Sequence, residues 1–420
     1  MTELKLQPSC ADDYDPDSLS VAEALQRIDQ VAIPITGFEK VALRSALNRV
    51  LAETITSPLD VPAHTNSAMD GYAVRAVDLP AEGICELTVI GTALAGAPFE
   101  GEVGPGTAVR IMTGAVLPQG ADCVVMQERA EREDDKVRIG PGNKAGQNIR
   151  QAGEDLAAGD PVLEPGRLIT PADLGVLASL GIAEVRVWRR LRVAFFSTGD
   201  ELRSIGETLQ EGQIYDSNRY TLYGMLTRLG VETIDMGVVH DRQEDLQAAF
   251  QTAAANADAV ITSGGVSVGE ADFVKDILQA LGEVNFWKIA MKPGRPMAFG
   301  KIGDAVFFGL PGNPVSVMVT FYEFVQSALK RMMGQTEAAL VTVQVPCATR
   351  LKKRPGRMEF QRGILERLPD GGLTVHGTGD QGSGILSTMS RANCFIVLPE
   401  DGGNVEAGRL VDVQPFEGLV

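Results

Sequence analysis

From residue 191 to 333 apolar, strand-like runs alternate strictly with helical runs, and no other feature of the sequence constrains the fold as much. Strands are predicted at 191–198, 232–239, 258–263, 284–291 and 305–310, and helices at 217–229, 242–255, 270–281 and 314–333. Such alternation implies right-handed βαβ units and a mostly parallel sheet covered on both faces. Three of the strands run straight into a glycine-rich turn and then a helix: RVAFFSTGDEL, AVITSGGVSVGEADF and AVFFGLPGNPVSVM. A turn of this kind aims backbone N–H groups and a helix N-terminus at one point, which favours a bound anion. Open α/β sheets take their ligands at the carboxyl edge of the strands. The candidate contacts are Ser197, Thr198, Gly199 and Asp200 in the first turn, Ser263, Gly264, Gly265 and Ser267 in the second, and Pro311, Gly312, Asn313, Pro314 and Ser316 in the third. The expectation is an enzyme that handles phosphate-like groups.

At 420 residues the chain is too long for one ordinary core and implies about three or four domains. A capping box, Ser20 with Glu23, opens a first helix with Val21, Ala24, Leu25 and Ile28 on one face. A second helix starts at Thr170 and Pro171 and stops at Gly181. Between them lie short β-like runs broken by Gly and Pro, such as ELTVIGTALAG, TAVRIMTG and DCVVMQE. The division expected is therefore a tail at 1–19, an interrupted α+β domain at 20–58 and 151–188, an inserted β domain at 59–150, the α/β domain at 189–335, and a small β domain or barrel at 336–420.

The formal charge of −17 argues against nucleic acid and anionic membranes as partners, so an anionic ligand must be met by local cations. The five cysteines are scattered without a C-x-x-C pair, and only three histidines could join them, which disfavours zinc and disulfide frameworks and fits a reducing cytoplasm. The N-terminus has acids and no apolar core, and nowhere do about 18 apolar residues run together, so neither a signal peptide nor a membrane span is expected.

Three acids fall at βα ends: Glu201 after STGD, Asp241 after ETIDMGVV, and Asp272 after SGGVSVGEA. Together they suit Mg²⁺, which takes carboxylates plus substrate phosphate oxygens. Each has a plainer role as well. Asp241, three before Glu244, reads as the N-cap of the next helix, and Asp272 in a first helical turn is favoured by the helix dipole. The facing cations come from KIAMKPGRP, namely Lys288, Lys292 and Arg295, with Pro293 and Gly294 in the turn. On one alternating strand Lys288 and Lys292 would point to the same side. Asn313 and Pro314 read as ordinary helix capping, and Ser316 adds a hydroxyl. GTGDQG at 377–382 matches a dinucleotide fingerprint in spacing only, because its helix is too short and no βα units surround it. RLKKRPGR at 350–357 reads as a solvated face, or as a greeting surface for an acidic cofactor or partner.

Seven motifs, in order NSAMDGYAV, RIMTGAVLPQGAD, NIRQAGED, STGDEL, SGGVSVGEADF, KPGRP and GLPGNPVS, resemble the molybdopterin molybdenumtransferases, the MoeA proteins, with the gephyrin E domain as an animal relative. The resemblance spans about 20 to 415. It implies insertion of molybdate into adenylylated molybdopterin, with Mg²⁺-dependent hydrolysis of the adenylate and release of AMP. It further implies that Asp70, Thr113, Arg150, Asp155, Glu201, Asp241, Asp272, Lys288 and Lys292 are functionally sensitive. It implies an elongated homodimer of four-domain subunits with a cleft shared between chains, working with a molybdopterin adenylyltransferase and with recipient molybdoenzymes. Lys292, Arg295 and Ser316 are the expected seat of molybdate, a tetrahedral dianion that suits the same N–H donors as phosphate. Two alternatives stay open: a molybdopterin adenylyltransferase that forms the adenylate from ATP, and a non-catalytic scaffold of the gephyrin E-domain type.

Overall fold

The computed structural model describes residues 18–265, 272–336 and 340–416. Helix α1 (Val21–Val31) carries the predicted capping box, and helix α2 (Pro171–Ser179) is boxed by Thr170 and Asp173. The pieces flanking the insertion meet: Phe38–Ala42 pairs antiparallel with Glu184–Trp188, and Ile55–Thr56 with Pro161–Leu163. They enclose a core of Leu51, Ile55, Ile169, Leu177, Val185 and Val187. Helix α1 behaves differently from the rest of its segment, burying Val21, Ala24 and Ile28 in the core of the central sheet. The insertion is a six-stranded sheet running from Gly71–Val74 to Lys136–Ile139.

The central domain runs β1 (Arg192–Thr198), α3 (Ser217–Leu229), β2 (Glu232–Val239), α4 (Gln243–Asn256), β3 (Ala259–Ser263), α5 (Asp272–Leu281), β4 (Gly282–Lys288), β5 (Pro296–Ile302), β6 (Ala305–Leu310) and α6 (Pro314–Thr320). The strand order is β2-β1-β3-β6-β5-β4. The first four strands are parallel, and the β6/β5 and β5/β4 pairs are antiparallel. The strands read as unbroken apolar runs because both faces are covered. Val193, Phe195, Ile261 and Phe308 pack on the side of α1, α3 and α6, whereas Ala194, Phe196, Val260 and Phe307 pack on the side of α4 and α5.

Two expectations change here. The strand PMAFGKI (β5) was not predicted, since a βα alternation leaves no place for a hairpin strand; it folds back on β6 through a turn at Gly303. The predicted strand at 284–291 ends at Lys288, so Lys288 and Lys292 do not share one alternating strand. Lys292 instead belongs to a two-residue strand, Met291–Lys292, that pairs in parallel with Met358–Glu359 of the C-terminal sheet. That sheet also contains Cys394–Leu398, Leu410–Pro415 and Val343–Pro346. The long last helix is interrupted by a π-helical turn at Phe321–Val325. Among the described residues no helix is long and apolar enough to cross a membrane.

Candidate functional site

The four parallel strands and β4 end at one edge of the central sheet, and β5 begins there. Ser197, Ser263 and Leu310 are neighbours in register across β1, β3 and β6, so the turns that follow them rise side by side. Gly264 has φ +91°, and a Cβ there would lie 2.6 Å from the Thr198 carbonyl oxygen; only glycine lets the second turn fold against the first. A Cβ on Gly312 would lie 4.0 Å from the Gly264 Cα, so the third turn abuts the second.

The acids sit at the β1 and β2 ends of this edge. The Glu201 carboxylate folds back over Gly199, and the Asp200 carboxylate accepts from the Asp241 amide at 3.3 Å and lies 3.3 Å from His240 Nδ1. Asp241 is not an N-cap: α4 begins at Gln243 with Arg242 in the cap position, and no side chain caps it. The helix starts one residue later than the spacing to Glu244 suggested, which leaves Asp241 before the cap position with its amide on Asp200. Asp272 opens α5, but its side chain lies outside the described residues, as does all of Ser267. Among the described residues no three His, Cys, Asp or Glu side chains come together as a metal site.

The cations gather elsewhere, in a cavity of about 790 Å³ between the central and C-terminal domains. From the sequence-derived candidates its walls take Lys292, Pro293, Gly294, Arg295, Pro311, Gly312, Asn313 and Ser316. Gly294 has φ +101°, and a Cβ there would press on Thr320, so the KPGRP turn packs directly on α6. Asn313 stands at the N-cap of α6 without making a capping hydrogen bond, and Pro314 occupies the first turn. Lys288, half-buried at the end of β4, accepts the Leu19 amide on its carbonyl and does not line the cavity.

The opposite wall is the basic run: Arg350, Lys352, Lys353, Arg354 and Arg357 all line the cavity. The run is therefore not merely a solvated face, and it supplies most of the cavity's positive charge. Lys353 is 5% exposed and donates to the carbonyls of Arg354, Glu400 and Gly402, pinning the run in place. Burial pulls its ammonium below the usual lysine range, with Glu359 acting in the opposite sense. Among the described residues Glu359 is the lone acid of the lining; it pairs with Lys292 at 3.5 Å and accepts from Gln361 at 2.8 Å. Gln381 and Gly382, from the GTGDQG loop, close the wall, and the next residue, Ser383, accepts the Val315 amide of α6 on its carbonyl. That loop is a cavity wall, followed by a six-residue helix, rather than a dinucleotide turn.

Asp70 and Thr113 come together in the inserted domain. The Thr113 amide and hydroxyl donate to Asp70 Oδ1 at 2.7 and 2.8 Å, and these bonds hold the Asp70 carboxyl below the usual range. Arg150 is exposed on the short strand Ile149–Arg150, which pairs with Asn66–Ser67, and Asp155 is exposed with its amide on the Val61 carbonyl. None of these four lines the cavity.

Three family models match the chain in succession: MoeA N-terminal region (domain I and II) over residues 19–181, a probable molybdopterin binding domain over 194–331, and MoeA C-terminal region (domain IV) over 344–416. The molybdopterin molybdenumtransferase of Haemophilus influenzae is 48% identical over 401 residues, which cover 94% of this chain and 97% of the relative. That of Nostoc sp. is 39% identical, covering 88% and 87%. The crystal structure of the molybdopterin biosynthesis moeA protein from Pyrococcus horikoshii OT3 superposes with a TM-score of 0.83 at 32% identity, over 95% of this chain and 100% of that one.

Proposed function

The chain belongs to the MoeA family of molybdopterin molybdenumtransferases, and we propose that it inserts molybdate into adenylylated molybdopterin, hydrolysing the adenylate and releasing AMP. The observation that carries this reading is the adjacency of two different anion sites. The glycine-rich turns that follow β1, β3 and β6 rise side by side at one edge, an arrangement that suits a phosphoanhydride. The neighbouring cavity sets Lys292, Arg295 and the basic run 350–357 around a space fit for a dianion. The two sites share Gly312, which abuts Gly264 and also lines the cavity. Molybdate bound in the cavity is thereby placed next to the adenylate, and cation density there stabilises charge that develops on the departing phosphate.

Glu201 and Asp241, with Asp272, would hold Mg²⁺. Glu201 and Asp241 follow the adjacent strands β1 and β2, all three donors are hard carboxylate oxygens, and a magnesium ion takes one or two carboxylates and completes its shell with water and phosphate. Bound there, it would neutralise the phosphate oxygens. The dithiolene sulfurs of the pterin are the ligands that receive molybdenum. The subunits form a homodimer in this reading, with Asp70 and Thr113 of one chain completing the cleft of the other. Mixing an inactive Asp70→Ala chain with an inactive Asp272→Ala chain then restores activity; no recovery after verified subunit exchange counts against the shared cleft.

Mass spectrometry of the small molecule that copurifies with the protein tests the substrate assignment. Adenylylated molybdopterin, lost as AMP on incubation with molybdate, is the expected result. Consumption of ATP with pyrophosphate formation would instead establish the adenylyltransferase.

A further inference from the structure

The segment Asp216-Ser217-Asn218-Arg219 starts α3 at the ligand edge of the sheet. Asp216 is 2% exposed, and its Oδ1 accepts the Arg219 amide at 3.2 Å, capping the helix. The same oxygen accepts the Ser197 hydroxyl at 3.0 Å, and Ser197 Oγ lies 2.9 Å from Ser263 Oγ. One carboxylate thus ties β1 to β3 directly beneath their turns. Its Oδ2 faces Arg219 Nε at 3.3 Å, and Arg219 reaches Asp235 of β2 at 3.2 Å. Asn218 donates from Nδ2 to the Gly312 carbonyl at 2.8 Å, in the turn after β6. All four parallel strands are joined to this one helix start. Ordinary capping needs no carboxylate this deeply buried, because taking the charge out of water is unfavourable unless it is fully paired.

Four buried side-chain atoms here lack hydrogen-bond partners among the described residues: Asp216 Oδ2 and Arg219 Nε, which compensate each other as an ion pair at 3.3 Å, and Thr198 Oγ1 and Asn218 Oδ1, which face no opposite charge of the brace. A Cβ on Gly265 would lie 2.9 Å from Thr198 Oγ1, so that hydroxyl sits in the crook of the second turn. Orphaned buried polar atoms are rare in folded proteins and call for an explanation such as an unseen partner.

We propose that Asp216 is the positioning residue of the ligand edge. It holds the turns so that Thr198 Oγ1 donates to a phosphate oxygen of the ligand, while Asn218 Oδ1 accepts from an amine or hydroxyl of the same ligand. The identity of that ligand rests on the adenylate reading; the brace itself does not. Hydrogen exchange on the full-length protein, paired with AMP titration, tests both parts on Asp216→Ala, Asp216→Asn and Ser197→Ala. Asp216→Ala is expected to speed exchange at 197–201, 263–265 and 311–313 together and to weaken AMP binding about tenfold. Asp216→Asn, which keeps Oδ1 for Ser197 and the helix cap but loses the charge facing Arg219, restores protection at 197–201 and 263–265 and only part of the AMP affinity. Ser197→Ala keeps the helix cap, speeds exchange at 263–265 and leaves α3 protected, and it decides the question should Asp216→Ala fail to fold. Exchange altered only within α3, or AMP bound as tightly by Asp216→Ala and Ser197→Ala as by wild type, overturns the proposal. A wild-type protein that binds no AMP refutes the adenylate reading, while the exchange pattern still judges the brace.

Discussion

The glycine-rich edge of the central sheet and the basic cavity beside it are both suited to anions, yet they are built in opposite ways. The edge is local: each turn lies within a few residues of its strand, and a single helix start, Asp216 to Arg219, locks the turns together. The cavity is assembled from afar. Lys292 meets Glu359 across 67 positions, and the 350–357 run shares a cavity with the KPGRP turn where Met291–Lys292 adds a strand to the C-terminal sheet. The difference teaches that the edge is braced chiefly from within the central domain, whereas the cavity depends on how the C-terminal domain docks. Chemistry at the first should respond to single charges, and oxyanion affinity at the second to the sum of charges and to docking.

The largest effect is expected at the edge. Asp241→Asn should leave the thermal midpoint nearly unchanged and slow AMP release about 30- to 150-fold, corresponding to a lost charge-assisted contact of ~2 to 3 kcal/mol. Rates equal to wild type in saturating Mg²⁺ would remove Asp241 from the site.

A smaller effect of another kind is expected in the cavity. Replacing Lys352, Arg354 and Arg357 together by glutamine should raise the molybdate concentration needed for half-maximal AMP release about tenfold and flatten its salt dependence, with the maximal rate changed about twofold at most. A lower maximal rate with unchanged half-saturation would place the run in the chemistry rather than in capture.

The last effect concerns docking and is read in stability rather than in rate. Glu323, in the π-helical turn, is 6% exposed; burial pushes its carboxyl up to about 8, with the amide of Gln414 in the last strand acting the other way. The folded protein therefore holds a proton that the unfolded chain releases at its ordinary value of 4.5. This contribution to stability is complete below that value, is lost as pH rises through about 8, and changes by at most ~1.4 kcal/mol per pH unit in between. Glu323→Gln should flatten the fall in urea midpoint across that window and exceed wild type above it. An unchanged pH profile would show that Glu323 does not carry the dependence.

The edge was legible in the sequence because its signals are short. Helix α3 and strands β2 and β6 lie where periodicity put them, and the capping boxes at Ser20 and Thr170 are local patterns. Strand β5 was hidden by the very alternation that revealed its neighbours, and Asp241 looked like a cap because spacing to Glu244 does not fix the helix start to the residue, which falls at Gln243. Asp216 left no signal beyond an Asp before a helix; its buried links to Ser197 and Ser263 exist only in three dimensions. The run 350–357 stayed an open choice between a solvated face and a surface for an acidic ligand, since a charge run reads alike whether it faces water or a cavity.

The most direct test of the account is molybdate titration of protein loaded with adenylylated molybdopterin, with AMP followed in a quenched assay. If the two anion sites act as one, AMP release rises with molybdate, saturates, and is blunted by Lys292→Ala, while sulfate yields no active cofactor when a molybdoenzyme is reconstituted. AMP release and reconstitution that are both indifferent to molybdate would contradict the coupling on which the account stands.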